Sequence, residues 1–195
     1  RFESDDMKSS DEIVALEEAF NKINSEIEQK KKSKINVRLI ALSGIFAALV
    51  LIGTELKIPT TIGYINLGDG VILVASYFLG PVAFFPAAIG SALGDLIAGY
   101  PIYIAPTFVI KGLMGVVAGL IMSKAQGKKG VGFVLRLVAG VLAEVIMVAG
   151  YFTFEYFIYG LEAAAGSVIF NLIQGGAAIL IAIPLTYAIR LKKQK

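Results

Sequence analysis

Five side chains interrupt long apolar runs: Asp95, Lys111, Glu144, Asn171 and Gln174. A charge at the bilayer centre costs roughly 2.5–3.5 kcal/mol on insertion scales, so each needs a partner, a wet cavity or a ligand. Their types restrict the chemistry. Two carboxylic acids, an ammonium and two amides can exchange hydrogen bonds and protons, but they hold no nucleophile–base pair. Cysteine and histidine are absent, which removes disulfides, thiolate catalysis and the usual zinc or haem ligands, so no catalytic residue and no metal site is expected. Asn171 and Gln174 stand at i and i+3 and share a helix face. Arg136 lies near the end of its run and is expected to snorkel.

The same residues suit structural roles. Lys111 and Glu144 can form a buried ion pair between neighbouring helices. Asn171 and Gln174 can supply interhelical hydrogen bonds. Asp69, in Asn66-Leu67-Gly68-Asp69-Gly70, precedes an apolar run and suits a helix cap. Asp95 has no such use, because a carboxylate near a helix C-terminus faces the negative end of the dipole and calls for a cation or a ligand.

These groups must be held by elements that live in lipid. Hydrophobic residues make up 56% of 195, charged residues 17%, and mean hydropathy is +0.75. A soluble domain of this size cannot hide so much apolar surface. Residues 1–35 are densely charged and form a cytoplasmic amphipathic arm; residues 36–195 form the membrane domain. Within the arm, Ser9, Ser10 and Asp11 are N-cap candidates for a helix over 9–34. Ile13, Leu16, Phe20, Ile23 and Ile27 make a short seam at alternating steps of three and four, and the Lys30–Lys34 run closes it. The seam suits a surface helix or a docking helix. The first thirty residues lack an apolar core, so no cleavable signal is expected.

Apolar runs able to span the bilayer follow over 37–54, 68–79, 81–99, 104–123, 131–157 and 165–189, with Gly80-Pro81 as a tight turn. The second and third also read as one broken span. Six spans place Lys30–Lys34, Arg38, Lys124, Lys128, Lys129, Arg190, Lys192, Lys193 and Lys195 on one side. The positive-inside rule makes that side cytoplasmic, with both termini. The net charge of +3 belongs to these clusters, and nucleic acid is not an expected partner.

In this topology Asp95, Lys111, Asn171 and Gln174 lie roughly 6, 10, 9 and 13 Å below the outer helix ends, at 1.5 Å per residue. Glu144 is deeper. An outward-facing cavity explains the convergence. Tyr64, Tyr100, Tyr103, Tyr151, Phe152, Phe154, Tyr156, Phe157 and Tyr159 gather on the same side, placed in loops there. Many suit an interfacial belt. Rings beside fixed hydrogen-bonding groups also suit a flat heteroaromatic ligand. Small residues line several runs, among them Ser43, Gly44, Ala47 and Ala48 on the first, where helix backbones approach closely.

The phrases Gly63-Tyr64-Ile65-Asn66-Leu67-Gly68-Asp69, Gly90-Ser91-Ala92-Leu93-Gly94-Asp95-Leu96, Val109-Ile110-Lys111-Gly112-Leu113-Met114-Gly115 and Phe170-Asn171-Leu172-Ile173-Gln174-Gly175 resemble substrate-binding (S) components of energy-coupling factor transporters. The nearest branch is the one grouped with riboflavin, pyridoxine and hydroxymethylpyrimidine carriers. The resemblance covers roughly residues 36–190 and implies an all-α, six-transmembrane-helix bundle in a prokaryotic cell membrane. It implies a ligand near the extracellular face, covered by the loop between the first two helices. It also implies a transmembrane coupling protein and two ATPase subunits as partners, which alone use ATP; no cofactor is expected on this chain, and no Walker motif occurs in it. The family's A-x-x-x-A docking feature is matched loosely by Gly44-x-x-x-Ala48 or Ser43-x-x-x-Ala47. The arm is longer than such subunits usually carry.

The expected function is capture of a small vitamin or precursor (pyridoxine, hydroxymethylpyrimidine or similar), with Asp95, Lys111, Glu144, Asn171 and Gln174 as contacts and Tyr64 and Tyr151 stacking or capping. The alternatives are a self-sufficient carrier using Asp95, Lys111 and Glu144 as a proton relay, a membrane enzyme, and an assembly partner whose polar groups only staple helices.

Overall fold

A computed structural model describes the backbone of residues 2–60, 63–126, 128 and 130–192, and the side chains of residues 14–28, 37–58, 65–126, 128 and 130–188. Residues 1–41 and 42–195 form two compact units. The first element, α1 (Phe2–Glu55), contributes to both.

In the first unit the helix begins before the expected caps, and the backbone stays helical through the Lys30–Lys34 run. Lysine is a good helix former and gives no reason to stop. The side chains of Ser9, Ser10, Asp11 and of that run lie outside the described residues. Leu16, Phe20, Ile23 and Ile27 are each more than half exposed along the helix.

The second unit continues with a hairpin, β1 (Lys57–Thr60) and β2 (Gly63–Asn66). The strands are antiparallel, with Lys57 opposite Asn66 and Pro59 opposite Tyr64. Proline is tolerated in such an edge pair, where it need not donate. Then come α2 (Gly68–Leu79), a tight turn over Gly80–Ala83, α3 (Phe84–Ile97), α4 (Ile104–Ala125), α5 (Gly130–Tyr159) and α6 (Leu161–Lys192). Among the described residues there are six α-helices, and the fold is an all-α membrane bundle. Five stretches of the described residues are long and apolar enough to cross a membrane when Gly68–Ile97 is counted as one.

The path of that stretch decides how the bundle is built. A Cβ at Gly68, which starts α2, and one at Gly94, near the end of α3, would both abut Thr54 on α1. The two helices therefore run antiparallel, with both of these ends beside the hairpin. Their turn fits against α4. A Cβ on Gly119 would lie 2.1 Å from the Gly80 carbonyl oxygen, and Gly80 itself has φ +59°. Glycine at both positions lets the two backbones touch.

The core stacks small and flexible residues at i, i+4 and i+8: Met114, Ala118 and Met122 on α4 face Ala139, Ala143 and Met147 on α5, all fully buried. On the outer faces of the same helices Leu113, Leu120, Val138 and Val145 are exposed, as lipid-facing positions are. At the hairpin end α5 passes to α6 through Gly160 alone, at φ +89°. This left-handed residue ends the helix and sets the start of α6 directly against the end of α5. The aromatic residues expected in the last loop are consequently helical, on α5.

Candidate functional site

A cavity of about 480 Å³ sits at the hairpin end, lined by residues of α1, the hairpin, α3, α4, α5 and α6. Its floor is a hydrogen-bonded layer spanning four elements. The Lys111 ammonium on α4 donates to Asp69 Oδ1 on α2 in a short buried ion pair. Gln174 Nε2 on α6 donates to the other oxygen, Asp69 Oδ2, at 2.6 Å. Gln174 Oε1 in turn accepts the backbone N–H of Asn66 at 2.8 Å. Asn66 Oδ1 then accepts the Gly68 N–H at 2.8 Å, fastening the hairpin to the start of α2.

Asp69 is fully buried and forms no side-chain cap on α2. This corrects the capping role expected for it, and of the two readings open for Lys111 and Glu144 it replaces their mutual pairing with a Lys111–Asp69 pair. A buried ammonium needs its charge met at close range, and α2 brings Asp69 nearer than α5 brings Glu144.

Above the floor stand polar and aromatic walls. Asp95 and Ser91 on α3, Thr107 on α4 and Thr54 on α1 are buried and line the cavity. Thr107 Oγ1 and the Tyr151 hydroxyl share a 2.9 Å hydrogen bond, and the Lys111 ammonium lies 5.4 Å from the Tyr151 ring centre. Tyr103 is the hub of the rim, with ring centroids of Tyr100, Tyr151, Phe154 and Tyr159 all within 6.4 Å. Its hydroxyl donates to Glu155 Oε1 at 3.2 Å, and the Ser167 hydroxyl donates to Glu155 Oε2. The one-residue turn at Gly160 makes that last contact possible, because it folds Ser167 back beside Glu155.

Of the residues expected from sequence, Asp95, Lys111, Asn171, Gln174 and Tyr151 meet around this cavity. Glu144 does not. It abuts Gly175 and lines a different cavity between α5 and α6. The Tyr64 side chain lies outside the described residues. Arg136 is fully buried and does not snorkel: its Nη1 donates to the Gly132 carbonyl at 2.8 Å, and its guanidinium stacks 4.9 Å from the Tyr77 ring centre.

Sequence reasoning missed Asp69, Glu155, Asn66, Thr107 and Tyr103 as members of the site. Glu155 and Tyr103 carried one available signal, a carboxylate and a ring near helix ends facing the same side. Their pairing depends on tertiary contacts that no spacing encodes. On α1, Gly44 and Ala48 are exposed and a Cβ on Gly44 would meet nothing within 4 Å, whereas Ser43 and Ala47 are half-buried.

Comparison with known proteins bears on the fold and its family. The profile described as "ECF-type riboflavin transporter, S component" matches residues 34–191. A protein of Pyrococcus woesei described as "Uncharacterized protein in gap 3'region" is 36% identical over 138 residues, covering 70% of this chain and 88% of that protein. A solved structure, described as "Structure and mechanism of the S component of a bacterial ECF transporter", is similar with a TM-score of 0.66. That likeness covers 82% of this chain and 99% of the other at 18% identity, and it speaks for the fold.

Proposed function

The chain belongs to the family of S components of ECF-type riboflavin transporters, and from that premise we propose that it captures a small aromatic vitamin in the cavity at the hairpin end. The observation that carries this reading is the lining itself. Fixed hydrogen-bonding groups from α3, α4 and α6 share one cavity with the rings of Tyr103 and Tyr151. Such a site stacks a flat ring and reads its edge. The volume falls within the range of about 300–1,000 Å³ usual for small-molecule sites.

Asp95, Lys111, Asn171, Gln174 and Tyr151 are the contacts assigned, and Glu155 and Tyr103 join them. Lys111 is neutralised by Asp69, so its charge does not call for an anionic ligand. An uncharged heteroaromatic compound fits this balance better.

The hairpin end faces outside in this reading, and both termini are cytoplasmic. Lys124 and Lys128 lie at the other end of the bundle, and the positive-inside rule supports a cytoplasmic position for that end. Delivery inward depends on a transmembrane coupling protein and two ATPase subunits, which consume the ATP. The exposed Gly44–Ala48 face of α1 is the docking surface for the coupling protein, its small side chains permitting close helix approach.

The test is calorimetric titration of the purified chain with riboflavin, pyridoxine and hydroxymethylpyrimidine, alongside native mass spectrometry of a gentle preparation. One of these compounds, or a co-purified relative, is expected to bind in a 1:1 ratio. No binding across the panel and no retained molecule would overturn the assignment. Proton-driven uptake by vesicles containing this chain alone would overturn the dependence on partner subunits.

A further inference from the structure

A second cavity, of about 500 Å³, lies between α5 and α6. We propose that this groove is a separate binding site for an alkyl-chain amphiphile from the bilayer interior, one that presents a single hydroxyl or amine donor to Glu144.

The groove is apolar along its length. Val141, Val145, Val148 and Phe152 line it from α5, and Leu172 and Ile179 from α6. Val141, Val145 and Leu172 are about half exposed, so the groove opens on the lipid-facing side of the bundle. One charged type interrupts it. Glu144 is 6% exposed, and neither of its carboxyl oxygens has a hydrogen-bond partner among the described residues. Every other buried acid for which a contact is described has found donors: Asp69 has Lys111 and Gln174, and Glu155 has Tyr103 and Ser167. A buried polar group without a partner is costly, and the groove beside Glu144 is the route by which one can arrive.

Depth selects the occupant. Glu144 follows the start of α5 by 14 residues and precedes its end by 15, which is about 21 Å from either end at 1.5 Å per residue. A lipid headgroup does not reach that level, and a freely hydrated solute does not enter it. An alkyl chain does, and one donor on that chain satisfies the carboxyl. The site is also distinct from the vitamin cavity. The two share one lining residue, Asn171.

Apolar carbodiimide chemistry tests this on the full chain in phosphatidylcholine vesicles. The carboxyl oxygen bonds to the central carbodiimide carbon and the acid proton passes to nitrogen. The O-acylisourea then rearranges to a stable N-acylurea, with nothing oxidised or reduced. Dicyclohexylcarbodiimide is expected to modify Glu144, located by peptide mass spectrometry, while a water-soluble carbodiimide leaves it untouched. Dodecanol should slow the modification about fivefold more than dodecane does, the worth of about one hydrogen bond. Val145→Phe, which narrows the groove mouth and keeps the carboxyl, should slow it as well. Glu144→Gln should remove the modified peptide while calorimetric vitamin binding persists. An unmodified Glu144 would overturn the proposal, as would equal protection by dodecane.

Discussion

The Gln174 side chain donates to Asp69 at 2.6 Å while accepting the Asn66 N–H at 2.8 Å, so both ends of one amide are committed. The carboxylate can only accept and the backbone N–H can only donate, so the amide orientation is fixed by its partners. Through it the hairpin, α2 and α6 are coupled directly beneath the cavity, and Lys111 adds α4 to the same layer.

Replacing Gln174 therefore has a signed outcome. Gln174→Leu strands one oxygen of Asp69 and one backbone N–H, and should cost about 1–3 kcal/mol. Gln174→Glu keeps the shape but sets an acid with no N–H against Asp69, and should be worse than leucine. Thermal unfolding in detergent ranks the three proteins. A glutamate variant as stable as wild type would contradict the layer described.

The buried pair beneath the cavity should behave as a unit. Lys111→Met alone leaves Asp69 without its cation, and Asp69→Asn alone leaves the ammonium without its anion; each should destabilise by about 3–5 kcal/mol. The double variant should cost less than the sum. A double-mutant cycle by chemical unfolding measures that coupling, and strict additivity would show that the two residues do not depend on each other.

Glycines give an internal contrast. A Cβ on Gly119 meets the Gly80 carbonyl oxygen at 2.1 Å, whereas one on Gly44 meets nothing within 4 Å. Gly119→Ala should lower stability by about 1–3 kcal/mol through overpacking. Gly44→Ala should be neutral or stabilising by about 0.4–1 kcal/mol, since alanine restricts the unfolded chain. Comparing their unfolding midpoints checks both. The bulkier Gly44→Leu should keep vitamin binding yet abolish uptake in vesicles that also contain the partner subunits.

How far the sequence could be read depended on whether a feature was local. The six helices were legible because lipid demands long apolar runs, and the polar residues of the cavity stood out because those runs make them conspicuous. The hairpin was not legible: two four-residue strands, one carrying Pro59, leave no alternation long enough to detect. The continuity of α1 was hidden because a basic run resembles an end signal without containing a breaker. Asp69 looked like a cap because its neighbours in sequence suggested one, and only the approach of α4 and α6 shows what it holds. Glu144 was grouped with the other polar residues because its position along α5 gave no hint that its side chain lines a different cavity, between α5 and α6.

Asn171 and Gln174, three residues apart on one helix face, should separate binding from folding. Both line the cavity, but Gln174 is committed to two internal hydrogen bonds, while Asn171 has no side-chain hydrogen bond among the described residues and is half-buried. Asn171→Ala removes nothing from the protein's own network, so its unfolding temperature should stay close to wild type. It does remove a free donor and acceptor facing the cavity, and vitamin affinity should fall about tenfold, the loss of about one hydrogen bond to ligand. Gln174→Leu, in contrast, should lower stability and affinity together. Calorimetry and thermal unfolding on the same two preparations give the comparison. If Asn171→Ala binds as tightly as wild type, the ligand does not use the α6 face, and the cavity contacts must be reassigned to α3, α4 and α5.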